Sequence, residues 1–134
     1  MIVVDTNVIG HLYLSGERSE QAERALLKDA LWSAPLLWRS ELRNVLALYI
    51  KREALGLEAA QRIMEEATSL MFGREYEVAS ARLLSLAASS GCSAYDCEFV
   101  ALAQDLGVPL VTAERRILSE FTAIAVALEQ FLAG

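Results

Sequence analysis

The chain has 134 residues, enough for one domain with a single core and no staples, and its 54% hydrophobic content excludes a disordered polypeptide. A net charge of −6, from 18 acidic and 12 basic residues, argues against a uniformly basic nucleic-acid-binding surface. It leaves room for a cluster of carboxylates built around a cation.

The first element is a strand over about residues 2–5, where the apolar run Ile2, Val3, Val4 stops at Asp5. Thr6 and Asn7 lead into a short helix that ends near Gly16. Asp5 reads equally well as the cap of that helix or as one wall of a site beyond the carboxyl end of a strand. Ser19 is expected to cap a helix over about 20–30, Trp32-Ser33-Ala34 to form a second strand, and Pro35 to begin a long helix over about 36–54, stopped before Gly56. A helix over 57–70 follows, then an irregular stretch around Gly73 and a helix over 77–89 closed by Gly91.

Ser93 caps a helix over about 94–106, Gly107 ends it, and residues 108–111 form a short buried strand. Thr112 begins a further turn of helix, and Ile124-Ala125-Val126 form a last strand before a C-terminal helix. Short apolar strands alternating with helices predict an α/β domain with a mostly parallel sheet covered on both faces. No apolar run approaches the roughly 20 residues of a membrane span and no basic leader precedes the first strand, so a cytoplasmic protein without membrane contact is expected. Cys92, Cys97 and the lone His11 make no thiolate zinc set, and all three read as ordinary reduced or packing residues.

Three acids stand out by where the periodicity points them. Along the long helix, Glu41 falls at the edge of the apolar stripe of Trp38, Leu42, Val45 and Tyr49, whereas Arg39 and Arg43 point away from it. In the helix after Ser93, Asp96 shares a face with Phe99, Val100 and Ala103, whereas Glu98 and Asp105 are expected on the solvated side. Inward-facing Asp5, Glu41 and Asp96 would repel one another unless a cation lay between them, and an all-oxygen set suits Mg²⁺ or Mn²⁺. Glu114 lies near the same sheet edge, either as a fourth acid or simply as the first-turn acid that a helix dipole favours. Arg115 and Arg116 directly follow it and are the best candidates for phosphate contact, with a solvated helix surface as the other reading.

These segments carry a family resemblance. VVDTNV at 3–8, SELRNVL at 40–46 and SAYDCEFVALAQDLGVPLVTAERRIL at 93–118 resemble the PIN-domain family, and the length resembles the ribonuclease toxins of VapBC toxin–antitoxin pairs. The resemblance spans the chain and implies a single PIN-like domain over 1–134, a three-layer α/β/α fold with four to five short strands. It maps an acidic metal cluster onto Asp5, Glu41 and Asp96, with Thr6, Asn7 and Thr112 as polar supports. Where the family usually has aspartate this chain has Glu114, so the resemblance does not decide whether that residue touches metal.

The activity implied is Mg²⁺- or Mn²⁺-dependent hydrolysis of single-stranded or structured RNA. The partners implied are a small antitoxin occluding the acidic site and a second copy of the chain in a homodimer. A PIN-like scaffold that binds a partner and cuts nothing is the rival reading, opposed by the three intact acids. An aspartyl-phosphate phosphotransferase would need a second acid two residues after Asp5, where this chain has Asn7.

Overall fold

A computed structural model describes residues 1–134 as a five-stranded parallel sheet flanked by eight helices. The strands are β1 (Ile2–Val4), β2 (Trp32–Pro35), β3 (Glu75–Tyr76), β4 (Leu110–Thr112) and β5 (Ala125–Ala127), in the order β3-β2-β1-β4-β5. The helices are α1 (Thr6–Tyr13), α2 (Ser19–Lys28), α3 (Leu37–Lys51), α4 (Leu57–Met71), α5 (Ser80–Ala88), α6 (Ala94–Leu106), α7 (Arg115–Glu120) and α8 (Leu128–Ala133). No helix is long and apolar enough to cross a membrane.

Consecutive side chains of β1 point to opposite faces, and all three are buried, so both faces of the sheet are covered. That is why its sequence is a continuous apolar run. Val3 and Val4 pair with Leu110 and Val111 of β4, while Ile2 and Val3 pair with Trp32 and Ser33 of β2. Helix α6 packs across β1, β2 and β4 with α5 against it; α3 and α4 pack on β2, and α1 and α8 pack on β4. The core is continuous through these layers and includes Trp32, Trp38, Leu42, Phe99 and Ile117.

Several boundaries differ from those the sequence suggests. Pro35 does not begin α3; it is the last residue of β2, paired with Tyr76 of the two-residue strand β3 in the stretch expected to be irregular. Serine 19 is the first helical residue of α2, and Arg18 takes the cap position without a side-chain bond. Thr112 ends β4, leaving Glu114 to cap α7 by accepting from the Arg116 amide. The expected helix over 77–89 contracts to α5, because Tyr76 is drawn into the sheet and Leu36 donates its amide to the Tyr76 carbonyl. Gly107 closes α6 in the left-handed conformation, φ 65°, where a side chain would be strained.

The short β3 strand does more than extend the sheet. Glu75 accepts from Arg39 at 2.5 and 2.6 Å and from the buried Trp38 indole at 2.8 Å. The first turn of α3 is thereby fixed to the sheet edge, and with it the direction in which Glu41 projects.

Candidate active site

Parallel strands place all their carboxyl ends on one edge, and the strand order turns back beside β1. The chain lays down β1, β2 and β3 outward on one side and returns to place β4 and β5 on the other. The crevice at such a switch point is where ligands bind in open α/β sheets. Asp5 follows β1 and Thr112 ends β4, so these two residues occupy the switch point directly.

Asp5 serves both roles that its sequence position allows. Its Oδ1 accepts from the Thr6 amide at 2.8 Å, which caps α1, and its Oδ2 accepts from the Thr112 hydroxyl at 2.7 Å. Only 7% of it is exposed. Burial pushes its carboxyl up to about 6; the bonds from Thr112 and Thr6 pull the other way, and the charges of Glu41 and Asp96 push it further up. Every charged group acting on Asp5 is another carboxylate, so no basic side chain compensates it.

Glu41 is half-buried on α3 and its Oε1 accepts from the Thr6 hydroxyl at 2.7 Å. Burial raises its proton affinity, and Asp96 and Glu98 add to that. Asp96 is half-buried in the first turn of α6, where its amide donates to the capping Ser93 hydroxyl at 3.1 Å. Burial and the charge of Glu114 raise its carboxyl. Asp5, Glu41, Asp96 and Glu114 therefore form one electrostatically linked group contributed by four segments of chain.

Thr112 ties the group together, since its hydroxyl donates to Asp5 and also accepts from the Glu114 amide at 2.9 Å. Asn7 accepts from the Ala113 amide at 3.4 Å and links the start of α1 to the loop after β4. As they stand, no three acidic side chains close around one point. The cluster is open, oxygen-only and mutually repelling, a donor set that fits a hard divalent cation rather than a soft one.

One expectation needs correction. Glu98 is not an ordinary solvated acid: it is partly buried, burial raises its carboxyl, and its charge acts on Glu41. In α6, Cys97 and the run from Phe99 to Ala103 are all buried, so the side opposite Asp96 is partly covered at Glu98 and opens to solvent toward the C-terminal end. Asp105 does behave as expected, exposed and paired with Arg82 at 3.2 Å. Arg115 and Arg116 are both exposed; the Arg116 guanidinium donates to the Gly91 carbonyl at 3.0 Å, leaving Arg115 as the freer of the two cations. The Ser93 contact and the Glu98 charge add to the site, although local sequence marks Ser93 only as a helix cap and Glu98 only as a solvated acid.

The family model for the PIN domain matches residues 2–124. Ribonuclease VapC3 of Pyrobaculum aerophilum is 32% identical over 126 residues, covering 92% of this chain and 96% of that protein. A crystal structure of a Pyrobaculum aerophilum protein superposes with a TM-score of 0.79 at 21% identity, covering 98% of this chain and 93% of that one. A toxin–antitoxin complex from Klebsiella pneumoniae gives 0.70 at 20% identity, covering 96% and 98%, and FitAcB from Neisseria gonorrhoeae gives 0.64 at 22%, covering 95% and 96%.

Proposed function

The chain belongs to the PIN-domain family, and from that premise we propose that it is a metal-dependent endoribonuclease of the VapC type. The observation that carries the reading is Asp5: a desolvated carboxylate at the sheet's switch point whose charged neighbours are all carboxylates. Such an arrangement stores repulsion that a cation relieves. Asp5, Glu41 and Asp96 would hold Mg²⁺ or Mn²⁺, with Glu114 acting on Asp96 from behind or joining the ligands. A bound ion would supply Lewis-acid polarisation of a phosphate oxygen and a water of lowered pKa.

The protein's own groups do the positioning. Thr112 and the Thr6 amide fix both oxygens of Asp5, and the Thr6 hydroxyl fixes Glu41, so two acids from elements far apart in sequence are oriented by one short segment. Glu41 has the raised proton affinity and partial exposure suited to accepting a proton from the attacking water, at the oxygen that Thr6 does not engage. Arg115, exposed at the start of α7, would contact an RNA phosphate, with Arg116 contributing less because it is engaged by Gly91.

The substrate proposed is RNA, single-stranded or structured. The partner proposed is a small antitoxin that places a basic side chain among the carboxylates, and the compartment is the cytoplasm. The assembly proposed is a homodimer, with Leu84 of α5 and Tyr95 of α6, each 63% exposed, as candidate contact residues.

The test is cleavage of RNA by the purified protein with Mg²⁺ or Mn²⁺ and with EDTA. Metal-supported cleavage that falls by about 100-fold or more in Asp96→Asn is expected, on the scale of a lost ligand or general base. Failure to cut any RNA with either metal, or full activity in Asp96→Asn, would overturn the reading and leave a partner-binding scaffold.

A further inference from the structure

Next to the acidic cluster, a cavity of about 400 Å³ opens between α1, the loop leading to α2, and α3. Thr6 and Asn7 form the wall that it shares with the cluster, so whatever fills the cavity lies directly beside the reacting centre.

Gly10 indicates that the space is built in. It lies inside α1 and is buried, yet its φ is not positive and a Cβ added there would meet no atom within 4 Å. Neither backbone geometry nor packing requires glycine at this position, and glycine in a helix interior costs stability relative to alanine. The missing side chain leaves its volume to the cavity that Gly10 lines.

The lining chemistry is that of a nucleobase rather than of a free phosphate. Tyr49 on α3 contributes a partly buried aromatic ring, and Asn7 an amide. Burial and the neighbouring Arg18 charge lower the proton affinity of His11 and so favour the neutral imidazole, which offers one donor and one acceptor. At the rim Arg18 stands beside Glu17, so the local charge nearly cancels. Unstacked RNA bases are typically held by an aromatic face together with hydrogen bonds to the base edge, and the volume lies at the lower end of the roughly 300–1,000 Å³ range of small-molecule sites.

We infer that this cavity receives one nucleobase of the RNA substrate, adjacent to the scissile phosphate, stacked on Tyr49 and read along its edge by His11 and Asn7. The inference rests on the nuclease reading and adds to it a source of sequence preference.

The test compares the wild type, Gly10→Leu, which fills the cavity, and Tyr49→Ala, which removes the platform. Each is assayed on an oligoribonucleotide that the wild type cuts and on versions made abasic at the positions on either side of the cut. Thermal unfolding of all three proteins verifies folding, and two variants on different helices guard against the failure of either. Both variants should raise KM on intact RNA by about tenfold, the scale of one lost base stack. Wild type should show the same loss on one abasic RNA, on which the variants should lose nothing more.

Unchanged KM in folded variants, with metal-dependent cleavage intact, would refute the base site and leave the nuclease reading standing. Unchanged KM together with weakened binding of a partner peptide would assign the cavity to a protein segment instead, and also refutes the inference. If the wild type cuts no RNA, both readings fall together.

Discussion

Replacing Asp5 with asparagine should stabilise the metal-free protein at neutral pH while abolishing cleavage. Asp5 is 7% exposed and its carboxyl moves from 3.8 up to about 6, through burial first and then the charges of Glu41 and Asp96, despite bonds from Thr112 and Thr6. An acid whose pKa is higher folded than unfolded favours folding while protonated: that stability is complete below 3.8 and is lost as pH rises through about 6. At about 1.36 kcal/mol per pH unit, the loss is about 3 kcal/mol at pH 7.5 and about 1 kcal/mol at pH 4.5.

Asparagine escapes that loss but turns an NH₂ toward Thr112, forfeiting one hydrogen bond of about 1 kcal/mol. The net expectation is a gain of about 2 kcal/mol at pH 7.5 and almost none at pH 4.5. Urea unfolding in EDTA reads this directly. With a slope of about 1–3 kcal/mol/M the midpoint of Asp5→Asn should lie about 1 M above wild type at pH 7.5. A midpoint at or below wild type at pH 7.5, or an equal shift at both pH values, would refute the claim that Asp5 is held in a desolvated, repelling environment. Added Mg²⁺ should reverse the order, since only the wild type gains binding energy in the folded state.

Two further substitutions separate support from contact. Thr112→Val should cost about 2 kcal/mol in thermal unfolding, because the Asp5 carboxylate and the Glu114 amide each lose their partner, whereas Thr112→Ser should stay close to wild type. A loss equal in both variants would mean that the methyl group, not the hydroxyl, matters. Glu114→Gln should keep the cap on the Arg116 amide and change stability by less than about 0.5 kcal/mol. It should also let the Asp96 carboxyl fall back toward its ordinary range, measured by NMR titration, and weaken Mg²⁺ binding several-fold. If neither the titration nor the affinity moves, Glu114 is a helix cap alone.

The acidic cluster was legible because each member breaks a local pattern: Asp5 ends an apolar strand, and Glu41 and Asp96 sit on apolar faces of long helices. Periodicity within one helix says which residues share a face, but not how much of the circumference neighbouring elements cover. For that reason Asp105 fitted its reading and Glu98 did not. Strand β3 escaped because two residues have no periodicity; it exists only through its pairing with Ala34 and Pro35. The cavity was equally invisible, since it arises from a side chain that Gly10 lacks and from the distance between α1 and α3.

The bond from Thr112 to Asp5 joins positions 107 residues apart. During synthesis at about 5–20 residues per second, the N-terminal acid exists for roughly 5–20 s before its partner has been made. Until then β1 lacks one of its two neighbouring strands, and Asp5 lacks the hydroxyl that orients it. Chains released early by stalled or truncated translation therefore carry Asp5 and Glu41 but no organised centre. The acidic group is thus assembled only once β4 has been made and has paired with β1.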